Sequence, residues 1–130
     1  MFTVAESIRI DRDREAVFAF FSDPAERPRW DTAVVSEELM TEPPARVGSR
    51  IRTTMRIMGR EAEFVWRITR FDPPHGMAVT SESGAMPIAS TWLFEDADGA
   101  CVATATIDAS PEGMMRVVEP VIEATVRASF

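Results

Sequence analysis

The sequence is poor in the residues that build disulfide frameworks and metal centres. It has one cysteine, Cys101, and one histidine, His75. A single cysteine cannot form an intrachain disulfide, and no Cys/His cluster has the spacing of a zinc or iron site. We therefore predict no metal and no other cofactor, and the cytoplasm is the default location.

Long apolar runs, phosphate-binding loops and a net positive charge are also absent. No run approaches the ~20 apolar residues that cross a bilayer, and the N-terminus lacks a signal-peptide pattern, so we expect no membrane span. Without a glycine-rich phosphate loop or a G-x-S-x-G motif, nucleotide binding and serine hydrolysis have no support. The net charge of −7 repels phosphate backbones, so we expect no nucleic-acid partner.

The 130 residues, of which 45% are hydrophobic, predict a single soluble domain over residues 1–130. Alternating apolar residues predict most of the strands, and turn residues separate them. Predicted strands cover residues 2–10, 33–41, 49–58, 61–71 and 77–83, and a hairpin covers residues 89–109.

Two short helical segments are predicted between the first two strands. Residues 13–22 form a helix with Asp13 as N-cap, because its carboxylate can accept orphan backbone N–H groups. Pro24 cannot continue that helix. A second short turn over about residues 24–29 then precedes Trp30.

Turn residues predict the registers of two hairpins. Gly59-Arg60 suits a two-residue turn with Gly59 at positive φ, and Asp98-Gly99 is a strong turn signal. The expected pairs are Ile57–Ala62, Met55–Phe64, Thr53–Trp66, Ile51–Ile68 and Arg56–Glu63 in the first hairpin, and Phe94–Ala103 and Trp92–Ala105 in the second.

A long C-terminal helix is predicted from Ser110 onward. Ser110 is a suitable N-cap, and Pro111 occupies the first helical position, where a missing N–H costs nothing. Met114 and Val118 belong to its apolar face. Pro120 removes a backbone hydrogen bond inside the helix and is expected to kink it.

The order of strand, two short helices, six strands and one long helix resembles the START-like or SRPBCC superfamily, and within it the polyketide cyclase/dehydrase-like proteins. The stretches that match are "IRIDRDREAVFAFFSDPAERPRWD", "VGSRI", "ITRFDPPHGM", "STWLFEDADGACVATATID" and the final helix. The resemblance implies an α+β helix-grip fold. In that fold a seven-stranded antiparallel sheet curls around the C-terminal helix, with an apolar cavity between them.

The final helix departs from this pattern because it is short and contains Pro120. We therefore expect the cavity either to stay open or to be covered by a second subunit, as in a homodimer.

The candidate ligand-binding positions are the inward-facing residues of the predicted strands and helices, together with Trp30, which the resemblance places at the cavity mouth and whose alternative role is packing. Most are apolar, with a few polar groups to orient a guest, as in typical ligand pockets. Methionine suits adaptable binding surfaces, although it also fills gaps in ordinary cores. The candidates are Trp30, Thr53, Met55, Phe64, Trp66, Met77, Ser90, Trp92, Met114 and Val118.

Each titratable candidate has a structural alternative. Glu6 falls on the apolar face of the first strand, where a carboxylate would have a raised pKa and could act as an acid, unless it reaches solvent. Asp23 and Asp31 are expected to bind local backbone rather than to form a catalytic pair. His75 is expected in an exposed loop, and Cys101 as a small buried hydrophobe.

Three functions remain open from the sequence. The first is binding of a small hydrophobic ligand, which is lipid-like, polyketide-like or aromatic. The second is a cyclase or dehydratase that uses a cavity acid such as Glu6, and the third is a protein-interaction module. Fold alone does not choose among them.

Overall fold

The structure is a computed structural model that describes residues 2–57, 59–84 and 87–110. Within these residues seven antiparallel strands form one sheet. They are β1 (Phe2–Ile10), β2 (Val34–Leu39), β3 (Arg50–Ile57), β4 (Arg60–Asp72), β5 (Gly76–Ser83), β6 (Ile88–Ala97) and β7 (Ala100–Ala109). Their spatial order is β1-β7-β6-β5-β4-β3-β2. The first two strands are therefore the two edges, and the chain between them must cross from one edge to the other.

That crossing segment contains the short helices. Helix α1 spans Arg14–Phe21 and is capped by Asp13, whose carboxylate accepts a hydrogen bond of 2.7 Å from the backbone N–H of Ala16. A 3-10 turn over Pro24–Glu26 follows and leads directly into helix α2, Arg27–Trp30. The predicted cap and the break at the proline are confirmed, whereas the second helical segment includes Trp30 instead of ending before it.

One face of the sheet carries the core. Apart from register shifts in the β2–β3 and β4–β5 pairs, its side chains come from alternate positions along the strands, as a half-buried antiparallel sheet requires. In the β6–β7 hairpin the predicted pairs, Phe94 with Ala103 and Trp92 with Ala105, are confirmed. The turn between them is Asp98-Gly99, with φ of 51° and 82°, as two-residue hairpin turns prefer.

The predicted register of the β3–β4 hairpin is wrong by two residues. Ile57 pairs with Arg60, and Gly59, which directly precedes Arg60, has a positive φ of 77°. A shift of two residues keeps every side chain on its predicted face. The observed pairs are Met55–Ala62, Thr53–Phe64 and Ile51–Trp66, and Arg56 lies opposite Glu61 rather than Glu63.

Strand β2 contains an irregularity that changes which of its side chains face the core. Val34 pairs with Met55 while Ser36 pairs with Thr54, so the register shifts between Val34 and Ser36. An extra residue of this kind reverses which later positions face inward. Glu37, opposite Thr53, consequently points to the core face, where strict alternation from buried Val34 would have pointed it outward.

The predicted C-terminal helix lies outside the described residues, and with it Met114, Val118 and Pro120.

Candidate functional site

The described residues leave a cavity of about 400 Å³ on the core face of the sheet. It lies over β1 and β7, and the end of the crossing segment forms its rim. Most of the walls are apolar. The lining residues are Glu6, Ser7, Ile8, Ile10, Phe21, Arg27, Trp30, Asp31, Trp92, Ala103, Thr104, Ala105 and Ile107.

Arg27 is the cation at the rim of this cavity. Its guanidinium carbon lies 4.4 Å from the ring centroid of Trp30 and 5.1 Å from that of Trp92. A guanidinium at these distances is attracted by the π faces of the rings. Arg27 Nη2 donates to Asp31 Oδ2 at 3.1 Å, and Nη1 lies 3.8 Å from Glu37 Oε2. Two rings and two carboxylates therefore hold one largely buried guanidinium.

A chain of hydrogen bonds reaches the same cluster from the sheet. Trp66 Nε1 donates to Thr53 Oγ1 at 3.0 Å, and Thr53 Oγ1 donates to Glu37 Oε2 at 2.8 Å. The Thr53 hydroxyl is thereby used once as acceptor and once as donor. The Trp66 indole fixes the direction in which that hydroxyl donates, and so orients the Glu37 carboxylate.

Burial dominates the titration of Glu37, whose side chain is only 9% exposed. Loss of solvation raises the pKa of Glu37, while the charge of Arg27 and the hydrogen bond from Thr53 lower it in part. The nearby charge of Asp31 adds a smaller upward contribution. The net direction is upward, so Glu37 holds its proton to a higher pH than an exposed glutamate does.

A second, much smaller space of about 20 Å³ lies beyond Arg27. It is large enough for one water molecule or one ligand oxygen. Arg27, Phe21 and Trp92 line both spaces and therefore separate the large cavity from this inner pocket. The other residues around the inner pocket are Ser22, Glu37, Ile51, Trp66, Met77, Val79 and Ser90.

Two buried donors at this wall have no hydrogen-bond partner in the part of the chain that the structure describes. They are Nε of Arg27 and Nε1 of Trp30. Buried N–H groups are nearly always paired in folded proteins. Within the described residues, each of the two N–H groups therefore lacks the acceptor that such groups normally have.

The predicted ligand-binding residues divide between the two spaces and the core behind them. Trp30 and Trp92 line the large cavity, and Trp66, Met77, Ser90 and again Trp92 line the inner pocket. Thr53 is buried in the hydrogen-bond chain, Phe64 is fully buried and stacks on Trp66 at 5.3 Å, and Met55 is half-buried. Met114 and Val118 lie outside the described residues.

The titratable candidates have differing surroundings. Glu6 lies on the core face opposite Ala105, and it lines the large cavity while its side chain is exposed. His75 is exposed in its turn and Cys101 is fully buried, both as expected. Asp23 accepts from the backbone N–H of Ala25 at 3.0 Å.

Asp31 stabilises the local backbone and also belongs to the polar cluster at the cavity. It accepts from the backbone N–H of Ala33 at 3.0 Å, as predicted, but it also pairs with Arg27. The sequence interpretation missed Arg27 and Glu37. The spacing of Arg27 and Asp31, four residues apart, was a usable signal, since such positions meet on a helix.

The described residues contain no group of three or more histidine, cysteine or acidic side chains placed to hold a metal ion. Nor does any helix in those ranges have the length and apolar character needed to cross a membrane.

Comparison with known proteins gives one family and a set of similar folds. The model of the family described as polyketide cyclase/dehydrase and lipid transport matches residues 1–130. No curated protein sequence matches significantly. Solved structures with the same fold share little sequence with this chain, so they establish the fold alone.

Three of these structures illustrate the likeness. A protein from Thermus thermophilus has a TM-score of 0.85 at 16% identity, covering 98% of this chain and 88% of that one. A START superfamily protein from Mycobacterium smegmatis has a TM-score of 0.79 at 12% identity, covering 96% and 89%. The ZhuI aromatase/cyclase from Streptomyces has a TM-score of 0.79 at 14% identity, covering 98% and 86%.

Proposed function

This chain belongs to the polyketide cyclase/dehydrase and lipid transport family, and from that premise we propose that it binds a small, mainly apolar molecule in the cavity over β1 and β7. The observation that carries the proposal is the cavity itself. Its volume of about 400 Å³ falls within the usual range of ligand pockets, about 300–1,000 Å³. Its walls are mainly apolar and include a few polar groups, among them the Arg27–Asp31 pair, which suits an apolar guest with a polar end.

The test uses a neutral fluorogenic probe, N-phenyl-1-naphthylamine, added to protein freed of co-purified lipid. We expect a saturable rise in probe emission, because the dye fluoresces in apolar surroundings. Ala105→Phe should weaken binding at least about tenfold, since Ala105 lines the cavity opposite Trp92 and a phenyl ring would occupy it.

Ala5→Phe is the matched control, because Ala5 is exposed on the other face of β1. The control should bind the probe like the unmodified protein. If Ala105→Phe binds as tightly as that control, the cavity is not the binding site.

A second candidate function, acid–base catalysis on such a molecule, is favoured by one observation. Glu37 is a buried carboxyl group with a raised pKa, it lines the inner pocket, and it lies beside a cation. Such groups are typical proton donors in active sites. Glu37 is therefore a better acid candidate than the exposed Glu6.

The two glutamates can be compared directly on a simple β-hydroxy ketone, 4-hydroxy-4-phenylbutan-2-one, whose dehydration gives a strongly absorbing enone. If the protein is such an enzyme, Glu37→Gln should lose about a hundredfold or more in rate, in the range of lost general-acid catalysis, while Glu6→Gln keeps its rate. Equal rates for Glu37→Gln and the unmodified protein would exclude this role for Glu37.

A further inference from the structure

We propose that the ligand presents a neutral acceptor oxygen, such as the carbonyl of a ketone or ester, to the N–H groups of Arg27 and Trp30. This inference rests on the proposed binding function and specifies the polar end of the guest. It assigns a chemical role to helix α2, whose residues Arg27 and Trp30 both line the cavity.

The two unsatisfied groups are of the same kind. An arginine Nε–H and an indole N–H can each donate a hydrogen bond, and neither side chain accepts one. Both are buried without a partner in residues 2–57, 59–84 and 87–110. A group that satisfies them must therefore bring lone pairs, which excludes a pure hydrocarbon and an ammonium group as the best-matched ligand ends.

The positions of Arg27 and Trp30 fit a ligand that enters from the large cavity, and a small shift of the two side chains on binding would expose their buried N–H groups to it. Arg27 and Trp30 both line that cavity, and Arg27 also borders the inner pocket of about 20 Å³. The inner pocket has room for about one oxygen atom but not for a ring or a chain. The apolar body of the ligand would therefore stay in the large cavity, with its oxygen directed at the Arg27 wall.

The charges around Arg27 favour a neutral oxygen over an anion. Asp31 already forms a 3.1 Å ion pair with the guanidinium, and Glu37 lies 3.8 Å away on its other nitrogen. The three groups together carry no surplus positive charge, whichever protonation state Glu37 adopts. A ligand carboxylate would meet two acidic side chains at short range, whereas a carbonyl adds no charge to a buried site.

The experiment measures displacement of N-phenyl-1-naphthylamine by three guests of matched length. 2-Undecanone carries the carbonyl, 2-methyl-1-undecene replaces C=O by C=CH₂ with almost the same shape, and undecanoate carries the anion. We expect the ketone to bind about tenfold more tightly than the alkene, since a buried donor gains its acceptor. Undecanoate at pH 8 should bind more weakly than the ketone.

Two variants test whether the preference for the ketone over the alkene depends on these two N–H groups. Trp30→Phe keeps an aromatic ring and removes the indole N–H, and Arg27→Met keeps an unbranched stem and removes the guanidinium. In each variant the ketone-to-alkene ratio should fall toward one, and because both guests are measured on the same variant, a change in folding cancels from the ratio.

Arg14→Met is the matched control. Arg14 also has a buried Nε without a partner in the described residues, but it pairs with Asp96 and lines neither space. Its ketone-to-alkene ratio should equal that of the unmodified protein.

The possible results separate this inference from the binding function. No displaceable probe binding at all would overturn the proposed function. Binding of all three guests with an equal ketone and alkene affinity would overturn only the carbonyl assignment. Tighter binding of undecanoate than of the ketone would also overturn it, because the site would then be an anion site.

Discussion

Replacement of Thr53 by valine tests the hydrogen-bond chain that supports the site. Thr53 is 1% exposed, and its hydroxyl joins Trp66 Nε1 at 3.0 Å to Glu37 Oε2 at 2.8 Å. Valine has nearly the same shape, so the substitution removes two hydrogen bonds without opening a cavity. The effect on stability therefore reports the polar chain rather than packing.

The magnitude follows from the two partners that are left behind. A buried donor without an acceptor costs about 1–3 kcal/mol, which applies to the Trp66 indole. Glu37, in its ionised form, loses a bond of the charge-assisted kind, which contributes about 1.5–3 kcal/mol. Since both partners can relax somewhat, we expect the free energy of unfolding to fall by about 3 kcal/mol.

The loss should also depend on pH. The hydrogen bond from Thr53 lowers the pKa of Glu37, so its removal raises that pKa further. When the native pKa of a glutamate lies above its ordinary value of 4.5, the folded protein loses stability as the pH rises from that ordinary value through the native pKa. Thr53→Val should therefore be more destabilising at about pH 8 than at about pH 5.

Urea unfolding followed by tryptophan emission and circular dichroism measures both effects. Thr54→Val is the matched control, because Thr54 is the next residue of β3 and faces the other side of the sheet. The control should change the free energy of unfolding by less than about 0.5 kcal/mol. Equal losses in Thr53→Val and Thr54→Val, or a loss without pH dependence, would refute the reasoning.

Three further predictions concern charge, capping and backbone. Glu37→Gln should remove one source of pH dependence, so its stability relative to the unmodified protein should increase from about pH 5 to pH 8 in urea unfolding. Asp13→Ala should lower the free energy of unfolding by about 1 kcal/mol, through loss of the α1 cap. Gly84→Ala should lower the melting temperature more than Gly48→Ala, since both glycines have positive φ but only a Cβ at Gly84 would clash with the buried ring of Phe64.

Most of the strand arrangement could be predicted because it depends on local patterns. Period-two alternation predicted β3 and β4 to within one or two residues, and Asp98-Gly99 fixed the last hairpin correctly. The β3–β4 register was wrong because a single glycine can occupy either position of a two-residue turn. Both choices keep the same side chains inward, so the hydrophobic pattern could not distinguish them.

The polar cluster could be predicted much less well. Glu37 faces inward only because the register shifts between Val34 and Ser36. The local residue pattern does not predict such a bulge. Arg27 looked like one of several surface charges in a short, proline-rich segment. Its burial results from Trp30 and Trp92, and Trp92 is distant in sequence and reaches Arg27 only when the sheet is complete.

The same buried groups that lower stability in the absence of ligand can give the site its selectivity. Arg27, Asp31 and Glu37 are largely removed from water, a cost that the attraction between buried charges often does not repay in full. Two donors in this wall remain unsatisfied in the described structure, which is a further cost. A guest with an acceptor oxygen removes that last cost, whereas an isosteric hydrocarbon leaves it in place. Discrimination of this kind arises from the penalty of unpaired groups in the site. A ketone should consequently stabilise the protein against heat more than the matched alkene does at equal concentration.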